Sequence, residues 1–287
     1  MADDTIVKGG YLYGGWRQPP NIWKDAGIHN DEIARRAGMR GGTIPGTIHL
    51  NLFPPLLIRL FGQRWLEKGC LSFYYTYATL DREDVCAVVA LPPGGRTDDV
   101  LVEARVEMPD GRVVARGTVS VGEPAEEPYV GSIRLEDAPR RELRILADLR
   151  SGMEIPAREN VIVTQEELNK TLETITDTIE WYRGSSPWGP PVVNPATMYS
   201  VLNAGFPPDT IKPAVGFFGA TEISLVDGPI LVGVPYRTTG RVVCVGASPK
   251  TEFAWVDSEL YEQSSRRLVA KMRHLTRWMK ASSPLWQ

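Results

Sequence analysis

Between Thr47 and Phe61 the chain is almost continuously apolar, TIHLNLFPPLLIRLF, which suits a buried helix at the centre of a fold. Proline is accepted in a first helical turn but breaks a helix interior, so Pro54 and Pro55 place the start of that helix at Pro54. After Gly62 the period changes. Residues 71–79, LSFYYTYAT, are aromatic and β-branched, and Asp84 to Leu91, DVCAVVAL, is a short apolar run; both read as strands. Val100 to Met108 and Arg112 to Val121 flank Pro109, Asp110 and Gly111, so they form a hairpin in which Asp-Gly supplies the positive-φ turn. A helix followed by several antiparallel strands lets a sheet wrap the helix.

The second half repeats this order in outline. Residues 122–156 are rich in Pro, Glu and Arg; Tyr129 to Leu135 has the pattern of a further strand, and Asp148 to Pro156 reads as the connection between halves. Thr164 and Glu167 make a capping box that opens a helix expected to run to about Tyr182. A Pro- and Gly-rich loop and an apolar segment, Ala196 to Leu202, come next. Strand-like blocks follow at Gly216 to Leu225, Ile230 to Val245 and Thr251 to Val256, and Ser258 to Met279 mixes strand and helix character.

Composition narrows the function classes. The 287 residues are 43% apolar and 23% charged, enough for one large domain or two ordinary ones, which the repeat divides as 1–150 and 151–287. No tract reaches the roughly 18 apolar residues of a membrane span, and MADDTIVKGG lacks the apolar region of a secretory signal, so a cytoplasmic protein is expected. A net charge of −3 without a long basic stripe argues against a nucleic-acid partner. Cys70, Cys86 and Cys244 stand singly and read as core thiols, and neither a metal-ligand cluster nor a G-x-G-x-x-G turn implies a cofactor. Arg35, Arg36, Arg40, Arg59 and Arg64 either form a solvated face or meet a phosphate-bearing handle.

The candidate chemistry lies between Asp25 and Gly62. Two of the three histidines, His29 and His49, fall there, with Asp25 four residues before His29, Asp31 and Glu32 just after it, and Gly41, Gly42 and Gly46 leading into the apolar run. His and Asp can share a proton while a glycine turn at a helix start exposes N–H donors, a layout suited to proton transfer beside an oxyanion. The alternative for His49 is a hydrogen-bonded structural histidine, and for His274, among Lys271, Arg273 and Arg277, a solvated one.

The order I-H-x-D-E-x-A-x-x-A-G from Ile28, followed by G-x-I-x-G from Gly42, resembles the hydratase motif of MaoC-like hot-dog-fold proteins, D-x-N-P-[ILV]-H-x-D with an H-G pair downstream. The resemblance implies that Asp25 and His29 orient and deprotonate a water, or protonate a leaving hydroxyl, beside an enoyl or 3-hydroxyacyl thioester, with Gly46 near the thioester oxygen. Asp25 stands one residue closer to His29 than in the family pattern, and Pro45 takes the place of the second histidine. Asp31 is therefore the alternative partner of His29, and His49 the alternative second histidine. In the second half, T-Q-E-E-L, D-T-I-E-W-Y and G-A-T-E-I-S-L-V-D-G-P-I-L-V-G resemble the same family, with Trp181 or Tyr182 where its histidine would stand. Neither side chain is a base at neutral pH, so this half is expected to be silent.

The implied fold is α+β: a double hot dog, two helix-wrapping antiparallel units whose sheets join edge to edge. Its acyl tunnel would lie between the units, with Pro45, Gly46, Trp181, Tyr182, Trp188 and Phe217 as walls, or the aromatics as plain core. The implied reaction is reversible water addition or removal at an α,β-unsaturated acyl thioester on CoA or an acyl carrier. The alternatives are an isomerase or cyclase acting on a carrier-free substrate and a noncatalytic acyl-binding protein. A thioesterase ranks below these, because residues 46–62 contain no Asp or Glu. The reading also allows a homodimer.

Overall fold

The computed structural model describes residues 4–25, 27–175, 179–207 and 209–287. A hairpin of two short strands, β1 (Ile6–Lys8) and β2 (Tyr11–Tyr13), opens the chain. The helix α1 (Asp31–Arg36) follows, and the apolar run then folds as α2 (Gly46–Leu50) and α3 (Pro54–Phe61) with a turn between them. Pro54 and Pro55 occupy the first positions of α3, as their fixed φ and missing N–H favour. After α4 (Arg64–Lys68) come β3 (Gly69–Tyr75), β4 (Cys86–Ala90), β5 (Val100–Glu107) and β6 (Val113–Val121). The second half contributes β7 (Glu154–Ile162), α5 (Gln165–Leu172), α6 (Pro195–Leu202), β8 (Gly216–Leu225), β9 (Pro235–Ala247), β10 (Thr251–Glu262) and β11 (Leu268–Met279).

The eleven strands make one antiparallel sheet in the order β1-β2-β4-β5-β6-β3-β8-β11-β10-β9-β7. From the middle outward, β3-β6-β5-β4-β2 on one side and β8-β11-β10-β9-β7 on the other repeat one topology. The two repeats meet where β3 pairs with β8, Cys70 opposite Ser224 through Tyr74 opposite Ala220. This seam covers two strand edges that would otherwise recruit other chains. The main core also crosses it, since Leu57 and Phe73 of the first repeat share one buried cluster with Tyr182, Met198 and Ile223 of the second. The α+β architecture is therefore the expected one, two sheets joined edge to edge around central helices.

Several local expectations are corrected. The helix opened by the Thr164 capping box ends at Leu172, well short of Tyr182. A threonine-rich stretch follows in which the hydroxyls of Thr171 and Thr174 donate to the carbonyls of Leu168 and Thr171, competing with helix propagation. Asp177 and Thr178 of the D-T-I-E-W-Y block lie outside the described residues. Ala196 to Leu202 is helical, with Pro195 at its first turn and the Asn194 side chain capping Thr197 N. Residues 129–135 form turns rather than a strand, and Val130 packs there against Ala220, Trp255 and Leu275. The stretch read as a linker already enters β7 at Glu154; Pro156 is tolerated because β7 is the outermost strand. Ser258 to Met279 holds the end of β10 and all of β11, with no helix.

The segment preceding β7 is anchored by Glu252, which is fully buried. Its carboxylate accepts from the backbone N–H groups of Arg144, Ile145 and Leu146 and from the Trp286 indole. Among the described residues no helix is long and apolar enough to cross a membrane.

Candidate active site

His29 ends a short 3-10 turn, Gly27–His29, and its ring is half-buried. Its backbone is held from two directions. The Asn21 side-chain amide donates to His29 O at 2.9 Å, and Thr43 N donates to Ile28 O at 2.9 Å. The ring Nδ1 lies 2.6 Å from the carbonyl oxygen of Thr43. A carbonyl only accepts, so in this geometry Nδ1 carries the proton and Nε2 keeps its lone pair. Burial lowers the imidazole pKa from its ordinary value, and the Thr43 hydrogen bond only partly opposes this. At neutral pH His29 is a neutral ring with one basic nitrogen.

His29 lines a cavity of about 260 Å³ with Pro45, Gly46, His49, Tyr75, Tyr77 and, from the second repeat, Phe217 and Phe218. Gly46 opens α2, and its N–H is a first-turn amide with no acceptor within the helix. A Cβ at Gly46 would lie 2.9 Å from three Tyr75 ring carbons, so the glycine lets backbone and phenol ring meet at the cavity wall. None of the described lining residues is an acid.

The other expected residues fall in different places. Asp25 is exposed, does not line the cavity and makes no described bond to His29. Asp31 lies outside the cavity too, and its carboxylate accepts from Gly42 N at 2.7 Å and pairs with Arg35 at 3.6 Å. It thereby clamps the glycine turn against the backbone of His29, where a Cβ on Gly42 would fall 2.3 Å from His29 O. Asp31→Asn keeps an oxygen for Gly42 N, so activity within about threefold of wild type is expected. Gly42→Ala must displace His29 and should cost about 1–3 kcal/mol as well as most activity. Thermal unfolding and turnover of both variants check this pair.

His49 is buried at the cavity floor with both nitrogens engaged, Nε2 2.8 Å from the Thr79 hydroxyl and Nδ1 3.3 Å from Gly46 O. Its hydrogen bonds brace the start of α2. Burial pushes its pKa down to about 4. Trp181 and Tyr182 do not reach the cavity. Tyr182 is core, and Trp181 packs edge-on against Trp188 at 5.9 Å. Phe217 does form wall, as one alternative had it. The five arginines are engaged: Arg35 with Asp31, Arg36 with Glu32, Arg40 with Glu83, Arg64 with Asp98 and Arg59 with the Thr5 hydroxyl.

His274 departs most from expectation, being 5% exposed where a solvated ring was expected. Burial between Tyr199 and Phe218 pushes its pKa down to about 3. Its position in β11 on the same face as Ala270 and Met272 was concealed by the basic residues Lys271 and Arg273 on the opposite face. Tyr75, Asn21 and Glu252 were not singled out in the sequence either.

His49 and His274 are neutral when folded but titrate near 6.5 when unfolded, so below that pH the unfolded chain binds more protons. Their stabilising contribution is complete above pH about 6.5 and is lost as pH falls toward 4 and then 3. The melting temperature should be flat near neutrality and fall through this window, with a shallower fall in His49→Gln.

No protein-family model and no curated protein matches the sequence. Solved structures do. A MaoC domain protein from Chloroflexus aurantiacus superposes with a TM-score of 0.59 at 10% identity, over 97% of this chain and 95% of the other. A conserved hypothetical protein of Mycobacterium tuberculosis, described as a double hotdog fold, gives 0.53 at 12% identity, over 96% and 97%. The chain has the double hot-dog fold. The dehydratase domain of PpsC from Mycobacterium tuberculosis, solved in complex with C12:1-CoA, also superposes, at 0.52 and 8% identity over 96% of this chain and 97% of the other. At these identities the likeness extends to the double hot dog itself; among the described residues no cluster of three or more His, Cys, Asp or Glu could hold a metal.

Proposed function

We propose that the chain is a hydro-lyase that adds water to, or removes it from, an α,β-unsaturated acyl compound, with a CoA or carrier thioester as the substrate class. The observation that carries this reading is His29: a neutral imidazole, its Nδ1–H committed to the Thr43 carbonyl and its Nε2 basic, on the wall of a cavity between two hot-dog repeats whose described lining residues include no acid. In the hydration direction Nε2 takes a proton from water as the oxygen attacks the β-carbon. The developing enolate oxygen needs a donor, and the free first-turn N–H of Gly46 supplies one. The imidazolium then delivers the proton taken from water to the α-carbon as the enolate collapses, leaving His29 neutral; in the reverse direction Nε2 takes the α-proton and the imidazolium passes it to the leaving hydroxyl. The fold's occurrence in a dehydratase domain solved with an acyl-CoA supports the substrate class.

A second reading, a carrier-free substrate for an isomerase or cyclase, is favoured by one observation. Every arginine of the 35–64 cluster is already paired with a side-chain oxygen, so a CoA phosphate would have to compete with that partner. Screening enoyl-CoA and enoyl-carrier thioesters by ultraviolet loss of conjugation separates the two. Turnover on any thioester supports the first reading, and turnover on free acids or ketones alone supports the second.

A further inference from the structure

A chain of buried polar groups runs from the cavity into the second repeat. The Tyr75 hydroxyl lies 3.0 Å from Thr221 Oγ1 across the β3–β8 seam, and Thr221 Oγ1 lies 3.0 Å from His274 Nδ1. Thr221 is fully buried. Beyond His274 the chain reaches a second, much smaller cavity of about 10 Å³, enclosed by the end of α6 and the loop after it, Ser258 of β10, and Met272 and Thr276 of β11. His274 and Ser258 both line that space and are more than nine-tenths buried, and neither Nε2 nor Oγ has a hydrogen-bond partner among the described residues. Its volume suits a single water joining the two.

This chain has two self-consistent polarities. In one, Tyr75 donates to Thr221, Thr221 donates to His274 Nδ1, and His274 carries its proton on Nε2, donating toward Ser258. In the other every donor is reversed and the phenol proton points into the large cavity. We infer that the first polarity holds, so that Tyr75 presents oxygen lone pairs to the large cavity and acts there as a hydrogen-bond acceptor. Three observations favour it. The geometry has Tyr75 donating to Thr221. The Ser258 hydroxyl lines the same small space and can accept from Nε2–H through the enclosed water. Finally, no carboxylate is among the described residues lining the large cavity to accept from a bound water.

The last point deepens the proposed function and rests on it. A water attacking a β-carbon has two protons to place, and a single imidazole accepts only one. Tyr75 accepts a hydrogen bond from the other, which stays on the oxygen as the product hydroxyl, and so aims a water oxygen lone pair at the substrate. Burial raises the Tyr75 phenol well above its ordinary pKa, so it stays protonated and its donor stays committed to Thr221. No charged side chain is among the described residues around the small cavity, so the chain is a neutral positioning device.

With only three histidines in the chain, nitrogen NMR of ¹⁵N-histidine-labelled protein near neutral pH reads the polarity directly. The expected His274 signal is a neutral ring protonated at Nε2 with an accepting Nδ1. A ring protonated at Nδ1 would overturn the inference, whether or not any substrate is turned over. Tyr75→Phe keeps the ring beside Gly46 and removes only the oxygen. Its kcat should fall about 10- to 100-fold with KM little changed, and Thr221→Val should give a smaller fall together with a moved His274 signal. If His29→Ala is inactive while Tyr75→Phe matches wild type in kcat, the hydro-lyase reading stands and the Tyr75 role falls. If Tyr75→Phe changes KM alone, the role falls as well.

Discussion

His29→Ala is expected to lower kcat by about a hundredfold or more while leaving substrate affinity close to wild type. A hundredfold loss corresponds to about 2.7 kcal/mol of transition-state stabilisation. The expectation follows from how the ring is held. Thr43 fixes the tautomer, Asn21 and the Gly42 turn fix the backbone, and the walls of the cavity are supplied by other residues, so removing the imidazole deletes the base without deleting the binding surface. Asp25→Asn is the control. Asp25 is exposed and makes no described bond to His29, so its replacement should leave kcat within about threefold of wild type. A fully active His29→Ala enzyme would remove the proposed base, and His49 would be the next residue to replace.

Expressing residues 1–150 alone should yield no cooperatively folding monomer. Cutting there bares the edge of β3 along its whole seam with β8, and an unpaired edge of that kind aggregates. It also splits the buried cluster that Leu57 and Phe73 share with Tyr182, Met198 and Ile223, and strands residues 144–146 without the Glu252 carboxylate that ties them down. Chemical denaturation of the isolated half reads the outcome. A soluble monomer with a sharp unfolding transition would contradict the idea that the two repeats, divided near residue 150, depend on each other.

The sequence made the strands legible where local pattern and tertiary role agree. Gly216–Leu225 and Val113–Val121 fall where alternation and turn residues put them, because each lies inside the sheet between two neighbours. Pattern failed where long-range packing overrides it. Pro156 signalled a break but sits on an edge strand, where a missing N–H costs little. The charges around His274 signalled solvent, yet on a strand neighbouring residues face opposite sides, so Lys271 and Arg273 lie on the other face while His274 is buried. At the candidate site, the nearness of His29 and Gly46, which both line the cavity, was legible because they fall in one short stretch. Tyr75 was not, since its role depends on Thr221 and His274, partners 146 and 199 residues away in sequence (221 − 75 and 274 − 75).

The pH–rate profile of kcat/KM on whichever enoyl substrate is turned over bears most directly on the central claim, that the neutral Nε2 of His29 is the base. Because burial holds the imidazole pKa below its ordinary value near 6.5, the profile should be level at neutral pH and fall only below about 6.5, by roughly tenfold per unit, as the ring takes up a proton. Whatever rate remains in His29→Ala should lack that acid limb. An activity that rises on acidification, or an acid limb that survives unchanged in His29→Ala, would contradict the account.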